Sequence, residues 1–565
     1  MKERAHPPLT GPHYSYTNQL LSQSRRRNSA GPGSGCISRR GAVPFDRRSA
    51  ALIGRLHMDS SALPDIARWS HEFDLSSKPW VLVGKGPTFD QFKDVDTARY
   101  FSCSLNHVVR EASVTVAHFI DIEPVLDCQD ILEQNARFVV MPYHPHSKCK
   151  AGSKTLAEFA EEIPVLKRLA EQGRLIWYNL DSSKPLGLCP SIKARHFSSA
   201  CALDVLARCG ASRVFSIGVD GGVTYSDRFS DLAGETLLAN GHKNFDVQFR
   251  DIADVLLNSR VCFSPWGVEA PVRVFVGADE AQMAGVKVLE YSIKKHASIS
   301  VEVQPIDNKH IPIPQDPANR SRTGFSFARF DIPRLRGYKG RGIYMDADMQ
   351  VFRDIRELWT WDMKNAGVAH ANHTSATGRV PQYSVLLLDC ERLRWNVEEI
   401  VRGLDEGAYD YKGLMHEFCL APGDAKQALL PEGWNSLEHF DPVETRLIHY
   451  TDMNTQPWVS NANKNGHLWY KCLREAINEG FVSTDFINQE IEAGHISPEI
   501  FVWAGLPDPN NVAQRKFSWV APYTRFTKNG VFVERIKARL KKSPVVRRFA
   551  LQSRLVASLR RVIGV

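Results

Sequence analysis

The sequence has no uninterrupted run of about 18 apolar residues, the length a membrane-spanning helix needs, so none is expected. No apolar stretch with a basic start and a small-residue cleavage site stands near Met1, so a secretory signal is not expected either. Cys-x-x-Cys pairs are also missing. The 11 cysteines are scattered and odd in number, a pattern that predicts reduced thiols in a cytoplasmic protein. Positive charge is scarce where a nucleic-acid enzyme would need it. Residues 1–57 hold 10 basic and 2 acidic residues, and residues 528–565 hold 11 and 1. Taking those from totals of 71 and 63 leaves 50 basic against 60 acidic residues in the body. A mildly acidic body with basic ends lacks the basic stripe of a nucleic-acid-binding domain, so no nucleic-acid partner is expected.

What is present is a long chain of 565 residues with 43% hydrophobic and 24% charged residues, enough for two or three globular domains. Residues 1–57 are rich in Ser, Gly, Pro and Arg ("SRRRNSAGPGSGCISRRGAV") without periodicity, and predict a disordered basic arm. Two readings of this arm stay open: translation that starts at Met58, and a docking or targeting segment. Over 58–265, short apolar runs alternate with helical segments: "PWVLVGKGPTFDQF", "VAHFIDIEPV", "ARFVVMPYH", then a helix in "RHFSSACALDVLARCG" ending at Gly210 and a strand in "RVFSIGVDGG". That alternation predicts a Rossmann-like domain with a parallel sheet. A second α/β domain is predicted over 266–520. Its first strand, Val272 to Val276, meets Gly277 and then Asp279, a candidate helix N-cap, and Val286, Leu289 and Ile293 share one helical face. A helix around "FSFARFDIPRLRG" and buried strands in "SVEVQPID", "GIYMDADM" and "QYSVLLLDC" follow. Residues 521–565 predict a basic amphipathic tail, with Leu551, Leu555, Leu559 and Val562 at helical spacing among arginines. Such a helix can lie on an anionic membrane surface, or pack its apolar face on the body.

Asp279, Asp346 and Asp348 all stand at the ends of predicted strands, where ligands bind in open α/β sheets. At a strand end the chain can leave the pleat, so that both carboxylates of Asp346-Ala347-Asp348 converge on one ion. Their hard oxygens suit Mg²⁺ or Mn²⁺, and such an ion can neutralise a diphosphate leaving group. A solvated turn is the competing reading of an isolated Asp-x-Asp.

The surrounding motifs carry a resemblance. "VFVGADE", "FSFARFDIPRL", "GRGIYMDADMQVFRDIRELW", "YSVLLLDCERLRW", "WNSL" and "IHYTDMNTQPW" stand in order between Arg273 and about Gly505. This segment resembles the family-8 glycosyltransferases, the retaining group that includes glycogenin and bacterial lipopolysaccharide galactosyl- and glucosyltransferases. The resemblance implies a GT-A nucleotide-diphospho-sugar transferase fold, a Mn²⁺ or Mg²⁺ cofactor and a UDP-sugar donor. It implies Asp346, Asp348 and His449 as metal ligands, Gly277, Asp279, Arg329 and Ala347 as donor-nucleotide contacts, and Gln382 as a donor-sugar contact. Trp434 and Trp458 read as core or acceptor-wall aromatics. The sequence departs from the family at Gln456, where a Lys commonly reaches the diphosphate, and no Asp-Gln pair follows the "YSVLLLDC" strand.

In the amino-terminal half, "LVGKGPTFDQF", "SLNHV", "HFIDIEPV" and "RVFSIGVDGG" resemble more loosely the bacterial sialyltransferase-like and motility-accessory glycosyltransferase domains. That likeness implies a nucleotide site at Gly84, Gly86 and Thr88, with Asn106 and Asp220 lining it. A packing turn is the competing reading, and His144, His146 and His242 read as ordinary histidines. Taken together, the expectation is a metal-dependent retaining glycosyltransferase acting on a glycan or lipid-linked saccharide, cytoplasmic or peripheral on the inner face of a plasma membrane. The alternatives are a bifunctional protein with a second, CMP-sugar transferase, a scaffold of degenerate nucleotide folds, and a nucleotidyltransferase.

Overall fold

The computed structural model describes residues 63–522, apart from 182–184, 188–190, 194, 237, 239, 307, 322–324, 372–382, 421–426, 509–518 and 520. The predicted arm over 1–57, Gln382 and the tail from 523 onward therefore lie outside the described residues.

The amino-terminal half is built on a seven-stranded sheet. In chain order its strands are β1 (Trp80–Val83), β2 (Phe101–Leu105), β3 (Val114–His118), β4 (Ala136–Pro142), β5 (Leu175–Tyr178), β6 (Arg213–Ile217) and β7 (Cys262–Pro265). Every pairing is parallel, in the spatial order β5-β4-β3-β2-β1-β6-β7. β1 reads Trp-Val-Leu-Val with every side chain buried, as a strand covered by helices on both faces requires. Helices α1 (Ser198–Arg208) and α2 (Val247–Leu257) pack side by side on this sheet. α1 is the predicted helix, and the chain leaves it through Gly210 at φ +90°, a left-handed conformation that glycine adopts without strain.

The carboxyl-terminal half holds a six-stranded mixed sheet. Its strands are β8 (Val272–Gly277), β9 (Val301–Pro305), β10 (Arg341–Asp346), β12 (Val368–Ala371), β13 (Val385–Asp389) and β14 (Gln427–Leu430), in the order β9-β8-β10-β13-β12-β14. β8 is parallel to both β9 and β10, whereas β13 runs antiparallel to β10 and β12. A three-stranded sheet of β11 (Met349–Val351), β15 (Ser436–Leu437) and β16 (Leu447–His449) lies beside it, with β16 central. Helix α3 (Met283–His296) buries Val286, Leu289 and Ile293, the predicted face, against the β8–β10 side, and packs also on β11 and on α4 (Gly466–Asn478). The helix expected around "FSFARFDIPRLRG" is shorter: a 3-10 turn, Ala328–Asp331, runs into one α-turn, Ile332–Leu335, and the chain turns away at Gly337 and Tyr338, both at positive φ.

The two larger sheets belong to one compact unit. The Ser300 N–H donates to the Phe263 carbonyl at 2.9 Å and its hydroxyl accepts from the Phe263 N–H at 2.8 Å. α2 packs on α3, and the Arg356 guanidinium lies 3.9 Å from the centre of the Phe249 ring. Among the described residues, no helix is long and apolar enough to cross a membrane.

Candidate metal centre

Ile343, Tyr344 and Met345 are fully buried, and strand β10 carries them to the carboxyl edge of the six-stranded sheet. The last pair in that register is Gly277 with Asp346. The Ala347 N–H then donates to the Gly277 carbonyl at 3.2 Å, and the chain crosses at once into the small sheet, where Met349 pairs with His449. Asp346-Ala347-Asp348 is therefore the hinge between two sheets. The Met349–His449 register brings the histidine beside Asp348.

The three side chains meet. One ligand atom from each of Asp346, Asp348 and His449 lies within 4.8 Å of the other two. The Nε2 of His449 is 3.0 Å from Asp348 Oδ1 and 3.9 Å from Asp346 Oδ2. Its Nδ1 is 3.1 Å from Asn435 Oδ1. An amide oxygen only accepts, so the Nδ1 proton is fixed there and Nε2 faces the carboxylates. The Tyr344 hydroxyl donates to Asp346 Oδ1 at 2.6 Å, and burial holds its pKa well above the usual phenol value, so it stays a donor. Gln456 donates from Nε2 to Asp348 Oδ2 at 2.9 Å. The Tyr450 N–H donates to the Asp348 backbone carbonyl at 2.8 Å.

Burial alone would favour the neutral ring of His449. The charge and hydrogen bond of Asp348, with Asp346 and Glu438 behind it, outweigh burial and raise its pKa above 6.5. The 2%-exposed ring therefore holds a proton more readily than a free imidazole does, and a divalent ion would compete with that proton for the two carboxylates. Two carboxylates and one oriented imidazole form a donor set that fits Mn²⁺ and also accommodates Mg²⁺.

The remaining described residues expected at this site are Arg329, Asp279, Gly277 and Ala347. Arg329 is buried, not solvated. One terminal nitrogen is 3.7 Å from Asp346 Oδ1, and the guanidinium lies 4.6 Å from the centre of the Tyr344 ring. Its other nitrogens donate to the carbonyls of Ser326 at 3.0 Å and Tyr383 at 2.7 Å. Asp279 caps the turn after β8, accepting the Ala281 N–H at 3.1 Å. Gly277 makes room for the tyrosine: a Cβ there would lie 2.4 Å from the Tyr344 hydroxyl. Ala347 is wholly enclosed. Trp434 and Trp458 are fully buried core residues, Trp458 against Trp469 at 5.6 Å between ring centres. Tyr344 and Asn435 were not singled out from sequence, where a tyrosine in an apolar run reads as core and an Asn after Trp reads as a turn.

The amino-terminal turn is a clasp between two loops. The Gly84 and Gly86 N–H groups donate to the carbonyls of Ile217 and Gly218, each at 2.8 Å. The Thr88 N–H and hydroxyl donate to the two oxygens of Asp220 at 2.7 and 2.6 Å, and the same hydroxyl accepts from the Gly218 N–H at 2.8 Å. A Cβ on Gly84 would stand 2.3 Å from the Gly218 carbonyl oxygen, so the glycine is required by the packing of the loops. Asn106, at φ +51°, donates to the Ser198 hydroxyl at 3.4 Å. His144 is exposed, and His146 and His242 are half-buried.

No family model matches the chain. A curated relative, Protein CDI of Arabidopsis thaliana, is 32% identical over 106 residues, 18% of this chain and 41% of its own, so the chain spans about two-fifths of that relative's length. Among solved structures, the galactosyltransferase LgtC in complex with donor and acceptor sugar analogues is 14% identical, with 38% of this chain and 97% of that chain covered and a TM-score of 0.28. The glycosyltransferase GlyE of Streptococcus pneumoniae TIGR4 is 15% identical, covering 41% and 65%, with a TM-score of 0.29. The bifunctional glycosyltransferase WbbM is 13% identical, covering 72% and 99%, also with a TM-score of 0.29. TM-scores this low leave the function to be read from this chain's own residues.

Proposed function

We propose that the chain is a metal-dependent glycosyltransferase that moves a sugar from a UDP-sugar to a glycan or lipid-linked saccharide, with retention of configuration, in the assembly of a surface polysaccharide. The observation that carries this reading is the meeting of Asp346, Asp348 and His449 at the carboxyl edge of the six-stranded sheet, with the imidazole turned inward by Asn435. A Mn²⁺ or Mg²⁺ ion, when bound, supplies the charge that stabilises a departing diphosphate.

The chain's own residues do the rest. Tyr344 holds Asp346 by Oδ1 and leaves Oδ2 on the His449 side. Arg329 places a fixed positive charge next to Asp346, in reach of a diphosphate that approaches the same edge. Asp279, two residues beyond the partner of Asp346, is the proposed contact to the nucleoside. The bond from the anomeric carbon to the diphosphate breaks with both electrons leaving on oxygen, and the acceptor hydroxyl forms the new bond and gives up its proton. Retention requires same-face attack or a transient nucleophile, and no residue is assigned as that nucleophile.

The test is a thermal-shift panel of UDP-, GDP- and CMP-sugars with and without Mn²⁺. One UDP-sugar is expected to raise the melting temperature only with Mn²⁺, by about 2.7 kcal/mol of stabilisation at 100-fold excess over Kd. Asp348→Asn is expected to abolish the effect. A metal-independent response to a CMP-sugar alone would move the site to the amino-terminal half. Release of pyrophosphate from a nucleoside triphosphate would make the chain a nucleotidyltransferase instead.

A further inference from the structure

Gln456 is fully buried, and its backbone carbonyl accepts the N–H groups of Val459 and Ser460 at 2.8 and 3.0 Å, so the position of the side chain is fixed at its root. The amide faces Asp348 Oδ2 at 2.9 Å. A carboxylate only accepts, so the NH₂ must be the group turned toward it. The other end, Oε1, is then directed away from Asp348. It is buried and, among the described residues, has no hydrogen-bond donor. An amide carbonyl enclosed without a donor is destabilising, and at a candidate site it points to a donor that arrives with the ligand.

The oxygens of Asp348 are thus divided. Oδ2 is held by Gln456, and Oδ1 is 3.0 Å from His449 Nε2, on the side where the three candidate ligands converge. A neutral amide achieves this without adding charge, so the negative charge of Asp346 and Asp348 stays available to a cation. A lysine here would hold the same oxygen but offset that charge.

We propose that Gln456 is a positioning residue of the cation site. It fixes Asp348 by Oδ2, so that Oδ1 is the oxygen left on the side of His449 for a divalent cation, and its buried Oε1 is left to accept from a donor that arrives with the ligand. This rests on the reading of Asp346, Asp348 and His449 as the ligands. The experiment is Mn²⁺ titration of the full chain followed by the electron paramagnetic resonance of free Mn²⁺, with the melting temperature of the cation-free protein measured in parallel. In Q456M the side-chain volume is kept and both polar atoms are lost. Mn²⁺ affinity is expected to fall about tenfold or more, as for other residues that orient a metal ligand. The cation-free melting temperature is expected to change little, because removal of the undonated carbonyl offsets the loss of the hydrogen bond to Asp348 Oδ2. Q456N, which keeps the amide but shortens its reach, is expected to lose affinity as well, and it carries the test if Q456M does not fold. Mn²⁺ affinity within threefold of the parent in the folded variant, while D348N abolishes binding, would overturn the role of Gln456 alone. No binding of Mn²⁺ or Mg²⁺ by the parent chain would overturn the ligand assignment beneath it, and this proposal with it.

Discussion

His449 reaches the cluster with its two nitrogens committed to opposite neighbours, an amide oxygen on one side and carboxylates on the other. Because its pKa is raised above 6.5 in the fold, the protonated ring stabilises the cation-free protein fully below that value, and the contribution is lost as pH rises through the raised pKa. A cation needs the neutral ring. Binding at a pH below that raised value should therefore release protons, and affinity should climb as pH rises through it. Calorimetric titration with Mn²⁺ in two buffers of different ionisation enthalpy is expected to give different heats, and equal heats would count against the assignment. At this scale the sequence was legible where a residue type is rare in its setting. Two acids ending an apolar run stand out, as does a histidine before "YTDMNTQPW". Gln456 stood out only as a departure from a pattern, and its bond to Asp348 could not be read because the two are far apart in the chain.

At the scale of elements, the site depends on how closely β8 and β10 approach. Gly277 sits opposite Asp346, and a methyl group there would collide with the Tyr344 hydroxyl that holds the Asp346 carboxylate. Gly277→Ala should cost about 1–3 kcal/mol through overpacking, and should weaken Mn²⁺ binding at the same time by pushing Tyr344 off Asp346. Denaturant titration together with Mn²⁺ titration checks both, and a variant that is less stable but binds Mn²⁺ normally would separate Tyr344 from the site. Continuous apolar strands such as β1 and β10 and the amphipathic α3 were legible because burial imposes their periodicity. The three-stranded sheet was not. Its strands are two or three residues long, and β11 follows β10 so closely that the sequence reads as one strand, "GIYMDADM". Only the long-range pairing of Met349 with His449 shows where one sheet stops and the next begins.

For the whole molecule, both large sheets lie in one compact unit, joined through Ser300, Phe263 and the α2–α3 contact. A cation bound in the carboxyl-terminal half should therefore stabilise both halves together. Hydrogen exchange with and without Mn²⁺ is expected to show added protection for the slowest amides of β1 and β6 as well as β8 and β10. Protection confined to the carboxyl-terminal sheets would show that the halves open independently. The α/β class was legible across the whole body, since alternating buried runs and helices leave few other architectures. The closed Thr88–Asp220 clasp was not, because a glycine-rich turn reads the same whether its N–H groups face a ligand or another loop.

The hinge between the sheets also restricts the residue that separates the two acids. Ala347 has no exposed surface, its N–H is taken by Gly277, and its carbonyl lies 2.8 Å from where a side chain on Gly285 would begin. The middle position of Asp-x-Asp is therefore an enclosed one in this chain, where a larger side chain has to displace its neighbours. A larger residue at 347 is expected to cost packing energy and to disturb the spacing of the two acids without altering either one.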